Sequence, residues 1–156
     1  MNEKGYRLLA LQIRELSSGV TNPVTILANA SAAIYWALGD INWAGFYIME
    51  ENDLILGPFQ GKPACTVIPE GRGVCGKAAS ENRTVIVPDV HEFEGHIACD
   101  SASSSEIVVP VMIGDRLYGV LDIDSPLKDR FCDTDADGLG EISRMIGEAL
   151  AVTQVG

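Results

Sequence analysis

The sequence has no long apolar run and few basic residues. No hydrophobic stretch approaches the roughly 20 residues that a transmembrane helix needs, and the N-terminus opens an amphipathic pattern instead of the apolar segment of a signal peptide. Lysine and arginine total 11 against 22 aspartates and glutamates, which gives a net charge of -11. Such a surface repels nucleic acids and anionic membranes, so neither is expected as a partner. We expect a cytoplasmic protein.

Cysteine is also scarce, with four residues, and no two of them have the C-x-x-C spacing of a zinc knuckle. Three of the cysteines and the two histidines would be ligands enough for zinc, but without that spacing we expect no bound metal. Without a secretory signal, reactive thiols are favoured over structural disulfides. Cys132 is interpreted as a packing residue. Cys65, Cys75 and Cys99 have glycine, proline or polar neighbours, which is typical of reactive thiols.

Length and periodicity predict the architecture. The 156 residues, 47% of them hydrophobic, contain no linker-like segment, which favours one domain spanning 1–156. Apolar residues at helical spacing predict helices at about 2–17, 23–38, 74–80 and from 133 onward. Alternating residues predict strands at about 43–49, 54–59, 84–87, 106–113 and 116–124. This order predicts an α+β domain with a central, largely antiparallel sheet and helices packed on one face.

Two motifs suggest sites that their surroundings exclude. Residues 71–76 (GRGVCG) satisfy the dinucleotide pattern G-x-G-x-x-G, but no βαβ unit surrounds them. They are better interpreted as a turn before a short helix, whose dipole would favour a thiolate at Cys75. Residues 133–138 (DTDADG) match half of a calcium loop, yet the twelfth position is Arg144 where an acid is required. We interpret them as the start of the last helix.

Candidate site residues follow from strand faces and from a long loop. Alternation places Trp43 and Tyr47 on one face of their strand, and Asp122 and Asp124 on one face of theirs. Glu106 begins a strand directly after the polar loop 89–105, which contains Cys99. Long loops of this kind tend to be functional.

Four stretches of the chain closely resemble the free methionine-R-sulfoxide reductases, which are GAF-fold enzymes that reduce the R epimer of methionine sulfoxide as the free amino acid. The stretches are residues 57–65 (GPFQGKPAC), 71–76 (GRGVCG), 95–100 (GHIACD) and 119–125 (GVLDIDS). The resemblance extends from about residue 42 to residue 146 and implies a GAF-like fold.

The resemblance also implies roles for the thiols. It places the attacking thiol at Cys99, whose sulfenic acid a second thiol would convert to a disulfide. Cys65 is the expected resolving partner, with Cys75 as an alternative or auxiliary reductant. No bound cofactor is expected, because thioredoxin, reduced by its NADPH-dependent system, would reopen the disulfide.

The same resemblance implies a pocket that reads a free amino acid. Glu106, Asp122 and Asp124 would line it, with one acid such as Glu106 or Asp124 protonating the sulfoxide oxygen and the others holding the ammonium. Trp43 and Tyr47 would wall the methyl end or stack on the ammonium. Sequence alone also allows these two aromatic residues to be core residues, and Asp122 and Asp124 to be solvated charges.

A non-enzymatic alternative remains open at this point. GAF domains often bind small ligands as sensors, and this chain could be a stand-alone binding module. Against that reading, three thiols matching the family motifs have no purpose in a simple binder. GAF domains also pair through helices such as the first and last here, so a homodimer is a further expectation.

Overall fold

A six-stranded antiparallel sheet organises the part of the chain that the computed structural model describes, residues 1–95 and 102–154. The helices are α1 (Glu3–Ser17), α2 (Pro23–Ala37), α3 (Gly73–Glu81) and α4 (Asp133–Thr153), and a 3-10 turn spans Val90–Glu92. The strands are β1 (Trp43–Glu50), β2 (Asp53–Gly61), β3 (Val67–Ile68), β4 (Val85–Val87), β5 (Ser105–Ile113) and β6 (Arg116–Ser125). The predicted order of elements is confirmed, with β3 as an addition that the sequence did not indicate.

The strands lie in the order β3-β2-β1-β6-β5-β4, and each neighbouring pair is antiparallel. The two predicted hairpins, β1–β2 and β5–β6, meet where β1 pairs with β6. The prediction of an α+β fold with an antiparallel sheet is therefore confirmed. Among the described strands, the two at the sheet edges, β3 and β4, are the shortest, with 2 and 3 residues.

Helices α1, α2 and α4 lie on one face of the sheet, where α2 and α4 contact the strands and α1 packs on these two helices. Helices α1 and α2 begin where the sequence predicts, because the Asn2 and Asn22 side chains accept hydrogen bonds from backbone N–H groups inside the first turn and Pro23 needs no partner there. The apolar stripes of the three helices form the larger core with inward residues of β1, β5 and β6, and this core includes Leu9, Ile13, Leu27, Ile34, Phe46, Ile107, Leu121, Ile123, Leu139, Ile142 and Ile146. No helix within residues 1–95 and 102–154 is long and apolar enough to cross a membrane.

The short helix α3 lies on the opposite face. It buries Val74, Cys75 and Ala78 in a second core with side chains from the centre of the sheet: Trp43, Tyr47, Val108 and Val120. The expected cover on one face therefore holds for the three long helices, while α3 closes the other. The alternation predicted for β1 is confirmed, since Trp43 and Tyr47 belong to this second core and Ala44 and Phe46 to the first.

The start of α4 is fixed by a buried carboxylate. Asp135 accepts hydrogen bonds from the Cys132 backbone N–H at 2.9 Å and from the Tyr6 hydroxyl of α1 at 2.5 Å. At Gly138 an added Cβ would lie 2.2 Å from the Tyr6 ring, so the two helices approach too closely there for any side chain. The prediction that residue 133 or 134 caps the helix is off by one residue, because Cys132 is the N-cap. Cys132 is exposed, so its interpretation as a packing residue is wrong.

Candidate functional site

The register of the central strands brings the predicted acidic residues together. Glu106 on β5 lies opposite Asp124 on β6, and Asp124 in turn lies opposite Trp43 on β1. Two residues earlier on β6, Asp122 lies opposite Gly45. Because residues two apart on a strand share a face, the three acids form a compact group on the side of the sheet that α3 covers.

Cys75 on α3 lies next to this group of acids. Its Sγ and a carboxylate oxygen from each of Glu106 and Asp122 all lie within 4.8 Å of one another. The three residues are only 3%, 6% and 5% exposed, respectively. We call Cys75, Glu106 and Asp122 the buried cluster. It consists of one thiol and two carboxyl groups with almost no access to bulk water, an arrangement that shifts titration strongly.

Within the buried cluster, Glu106 is the carboxyl group whose pKa is raised most strongly. Burial raises the pKa of Glu106 well above its usual range, and the neighbouring carboxylates of Asp122 and Asp124 raise it further. Burial also raises the pKa of Asp122, but hydrogen bonds from Glu106 and Cys75 counteract that effect because they stabilise its ionised form. Of the two carboxyl groups in the buried cluster, Glu106 therefore holds a proton more strongly than Asp122.

Cys75 is not the activated thiol that the sequence suggested. It is the third residue of α3, but it is buried, and this burial together with the charges of Asp122 and Glu106 raises the pKa of its thiol well above the usual value. Desolvation and like charge here outweigh the helix dipole, whose effect in a short helix is small. The expectation of a Cys75 thiolate is wrong, and its S–H donates to Asp122 instead.

Trp43 and Tyr47 combine packing with a second role. Both are 2% exposed and stack on each other with ring centroids 5.9 Å apart. The Trp43 Nε1–H donates to the Lys62 carbonyl at 3.1 Å, and the Tyr47 hydroxyl donates to the Cys65 carbonyl at 2.9 Å. The two aromatic residues thus tie the segment between β2 and β3 to the sheet, and with it Cys65.

Tyr47 also borders the buried cluster. Its burial, followed by the charges of Asp122 and Cys75, raises the pKa of its phenol. A further aromatic residue, Phe59 on β2, stacks on Trp43 at 5.1 Å between centroids. Sequence reasoning did not assign Phe59 to the site. Phe59 pairs with Gly45 across the β1–β2 hairpin. A bulge between Gly45 and Tyr47 shifts this register, so the pairing cannot be predicted by counting residues from the turn.

The cysteines are in different chemical states. Cys65 is disulfide-bonded, whereas Cys75 and Cys132 are free thiols. Cys99 and His96, which the sequence placed in the reactive loop, lie outside the described residues. His91 lies in the 3-10 turn with its exposed ring Nδ1 3.0 Å from Asp89, so in this structure it anchors the start of the loop.

Comparison with known proteins gives the family. The GAF domain family model matches residues 13–150. The chain is 50% identical to the free methionine-R-sulfoxide reductase of Escherichia coli over 95% of this chain and 90% of that one. It is 48% identical to the Saccharomyces cerevisiae protein of the same name, over 90% and 83%. The structure of the Neisseria meningitidis free methionine-R-sulfoxide reductase with its substrate superposes with a TM-score of 0.92 at 43% identity, covering 96% and 90% of the chains. This chain therefore belongs to the free methionine-R-sulfoxide reductases, a family built on the GAF domain.

Proposed function

We propose that this chain reduces free L-methionine-R-sulfoxide to methionine, using Cys99 as the nucleophile and Glu106 as the proton donor. One observation carries the proposal: buried, interacting acids lie beside the thiol of Cys75 in a chain that is 50% identical to the E. coli enzyme of that name. An apolar GAF pocket for an uncharged ligand would not need them, because burying carboxyl groups together is costly unless their chemistry is used.

The first chemical step transfers oxygen from the substrate to the enzyme. The Cys99 thiolate attacks the sulfoxide sulfur and forms a transient S–S bond. This bond and the S–O bond then break as the oxygen bonds to the Cys99 sulfur, which leaves Cys99 as a sulfenic acid and releases the substrate as methionine. The departing oxygen takes up a proton, and the carboxyl of Glu106 supplies it. Its pKa is raised more strongly than that of Asp122, which makes Glu106 the better general acid of the two.

The second step regenerates the active site. The thiol of Cys65 attacks the sulfur of the sulfenic acid, water leaves, and an intramolecular disulfide forms. The participation of Cys65 in a disulfide supports it as the resolving residue over Cys75, which is a free thiol held by Asp122. A thioredoxin-type dithiol, itself reduced from NADPH, then reopens the disulfide, so that no cofactor has to bind the enzyme.

The restriction to the free amino acid follows from the charges of the pocket. Asp122 and Asp124 attract the ammonium of the substrate, and the backbone N–H groups of the Cys99 loop receive its carboxylate. Trp43 and Tyr47 wall the methyl end. Because the pocket binds both the ammonium and the carboxylate of the substrate, it leaves no room for a peptide chain that continues from either group.

A ligand-sensing GAF module is the competing function, and thiol counting separates the two. An enzyme loses two thiols for each sulfoxide added, whereas a sensor loses none. The exposed Leu8 and Leu11 on α1 support the further expectation that two copies pair through α1 and α4.

The direct test is NADPH consumption with thioredoxin and thioredoxin reductase on three substrates: free L-methionine-R-sulfoxide, its S epimer and an N-blocked R-sulfoxide. We expect turnover with the first alone. Turnover of the blocked compound would retain the redox chemistry but refute the charge-reading pocket. If folded, reduced protein turned over none of the three, the sensing module would replace the enzyme as the favoured function.

A further inference from the structure

The buried cluster presents the donor atoms of a metal site. Its three ligands come from three separate elements: the Cys75 thiol from α3, the Glu106 carboxyl from β5 and the Asp122 carboxyl from β6. Their donor atoms lie within 4.8 Å of one another, whereas the donors of a tetrahedral zinc site are about 3.5 Å apart. Each side chain would therefore have to move by no more than about 1 Å, which rotation about its own bonds can supply.

A second observation concerns one oxygen of this cluster. Asp122 is 5% exposed, and its Oδ1 atom is buried without a hydrogen-bond donor. Buried carboxylate oxygens nearly always accept hydrogen bonds, because leaving one unsatisfied costs about 1–3 kcal/mol. This oxygen therefore has lone pairs available to a ligand that enters the cluster.

The charges around the cluster also favour a cation. Asp124 lies opposite Glu106 across the β5–β6 pair and two residues from Asp122 on the same strand, so a third carboxyl group adjoins the cluster. All of these groups are neutral or negative. A divalent cation bound among them would replace mutual repulsion by attraction in a site of low polarity, where such interactions are strong.

We propose that the buried cluster binds Zn²⁺ or a similar soft divalent cation through Cys75, Glu106 and Asp122, and that the bound metal competes with the sulfoxide substrate. The competition rests on the proposed function, because it requires the same acids to receive the substrate. As the metal binds, the protons of the Cys75 thiol and the Glu106 carboxyl pass to solvent, and a water completes the four ligands. Ca²⁺ and Mg²⁺ are excluded by the thiol, since both prefer oxygen ligands only.

The test titrates the full chain, reduced with a thiol-free phosphine, with Co²⁺ as the spectroscopic probe. We expect a sulfur-to-cobalt charge-transfer band that added Zn²⁺ abolishes. Cys75→Ser should remove the band and weaken Zn²⁺ binding by more than about 100-fold, since loss of an outer-sphere partner alone costs roughly 10–100-fold. Cys132→Ser, which alters an exposed thiol at the start of α4, is the matched control and should keep both.

A second variant and a separate measurement of turnover complete the test. Asp122→Asn keeps the thiol and the shape of the side chain, so it should weaken binding even if Cys75→Ser fails to fold. A band that persists in folded Cys75→Ser, or no band in the reduced wild-type protein, overturns the proposal. Turnover is measured separately on chelator-treated protein: turnover without metal binding refutes the metal site alone, and metal binding without turnover refutes the proposed function. In the active enzyme, Zn²⁺ should raise the apparent KM for the sulfoxide, and a chelator should reverse it.

Discussion

Tyr47 offers a sharp test of the proposed role of Cys65 as the resolving thiol. Its hydroxyl donates a 2.9 Å hydrogen bond to the carbonyl of Cys65, while its ring stacks on Trp43 inside the second core. Tyr47→Phe removes the hydroxyl and keeps the ring. The substitution therefore separates the role of the side chain in holding the Cys65 segment from its role as a wall of the pocket.

The size of the effect follows from the lost hydrogen bond. A neutral hydrogen bond contributes about 1 kcal/mol net, and a partly buried carbonyl left without a donor raises the cost toward about 2 kcal/mol. Since 1.4 kcal/mol corresponds to a factor of about 10 in rate or equilibrium, disulfide closure should slow by about 5- to 30-fold. The first step, in which methionine is released, should change by less than about twofold because the substrate still meets the same ring.

The assay is a single turnover with one equivalent of sulfoxide, in which methionine release and loss of free thiols are followed separately in time. Tyr118→Phe is the matched control, because Tyr118 is a half-buried tyrosine packed against the core on the other face of the sheet. Equal closure rates in the wild type and Tyr47→Phe would refute the positioning role. An equal slowing in Tyr118→Phe would show that the effect comes from lower stability in general.

Two other predictions address stability and the thiol cycle. Asp135→Asn should lower the free energy of unfolding at pH 7 by about 2 kcal/mol, because the carboxylate loses charge-assisted hydrogen bonds from Tyr6 and the Cys132 N–H. Although burial opposes it, these hydrogen bonds hold the pKa of Asp135 below its usual value. Their stabilisation is therefore present above pH of about 4 and is lost as pH falls through the folded-state pKa, so urea unfolding at decreasing pH should bring wild type and variant together. A difference in unfolding free energy between the wild type and Asp135→Asn that stays constant down to pH 2 would contradict this prediction. Cys99→Ser should abolish sulfoxide reduction, whereas Cys65→Ser should release one equivalent of methionine without recycling by thioredoxin; multiple turnovers by Cys99→Ser would sink the assignment.

Much of the fold could be predicted because the spacing of apolar residues along the chain indicates which face of a helix or strand is buried. The apolar stripe of α4 and the alternation of β1 each follow from one repeating pattern, and both have the predicted faces buried. The grouping of Asp122 and Asp124 followed from the same two-residue period. Counted from the turn at Gly114, Glu106 would face Ile123; the register shift between Val111 and Met112 places it opposite Asp124, and this contact could not be predicted from the sequence.

Other features of the site depend on contacts between distant segments, which one sequence does not encode locally. The two-turn helix α3 has a weak apolar pattern, so its position on the second face and the burial of Cys75 came only from the structure. Burial then reversed the expected state of that thiol. The bonds from Trp43 and Tyr47 to the Cys65 segment likewise connect elements whose register includes a bulge. The exposure of Cys132, the N-cap of α4, likewise came only from the structure.

The shortness of strand β3 has a consequence for the working cycle. Its only register with the sheet consists of two pairs, Leu54 with Ile68 and Ile55 with Val67, and it directly follows the Cys65 segment. In the proposed cycle, Cys65 alternately joins a second sulfur atom and separates from it. Because the neighbouring strand is held at the sheet edge by only two residue pairs, a shift of the Cys65 segment would break few backbone hydrogen bonds and leave the central strands, with their acids, in place.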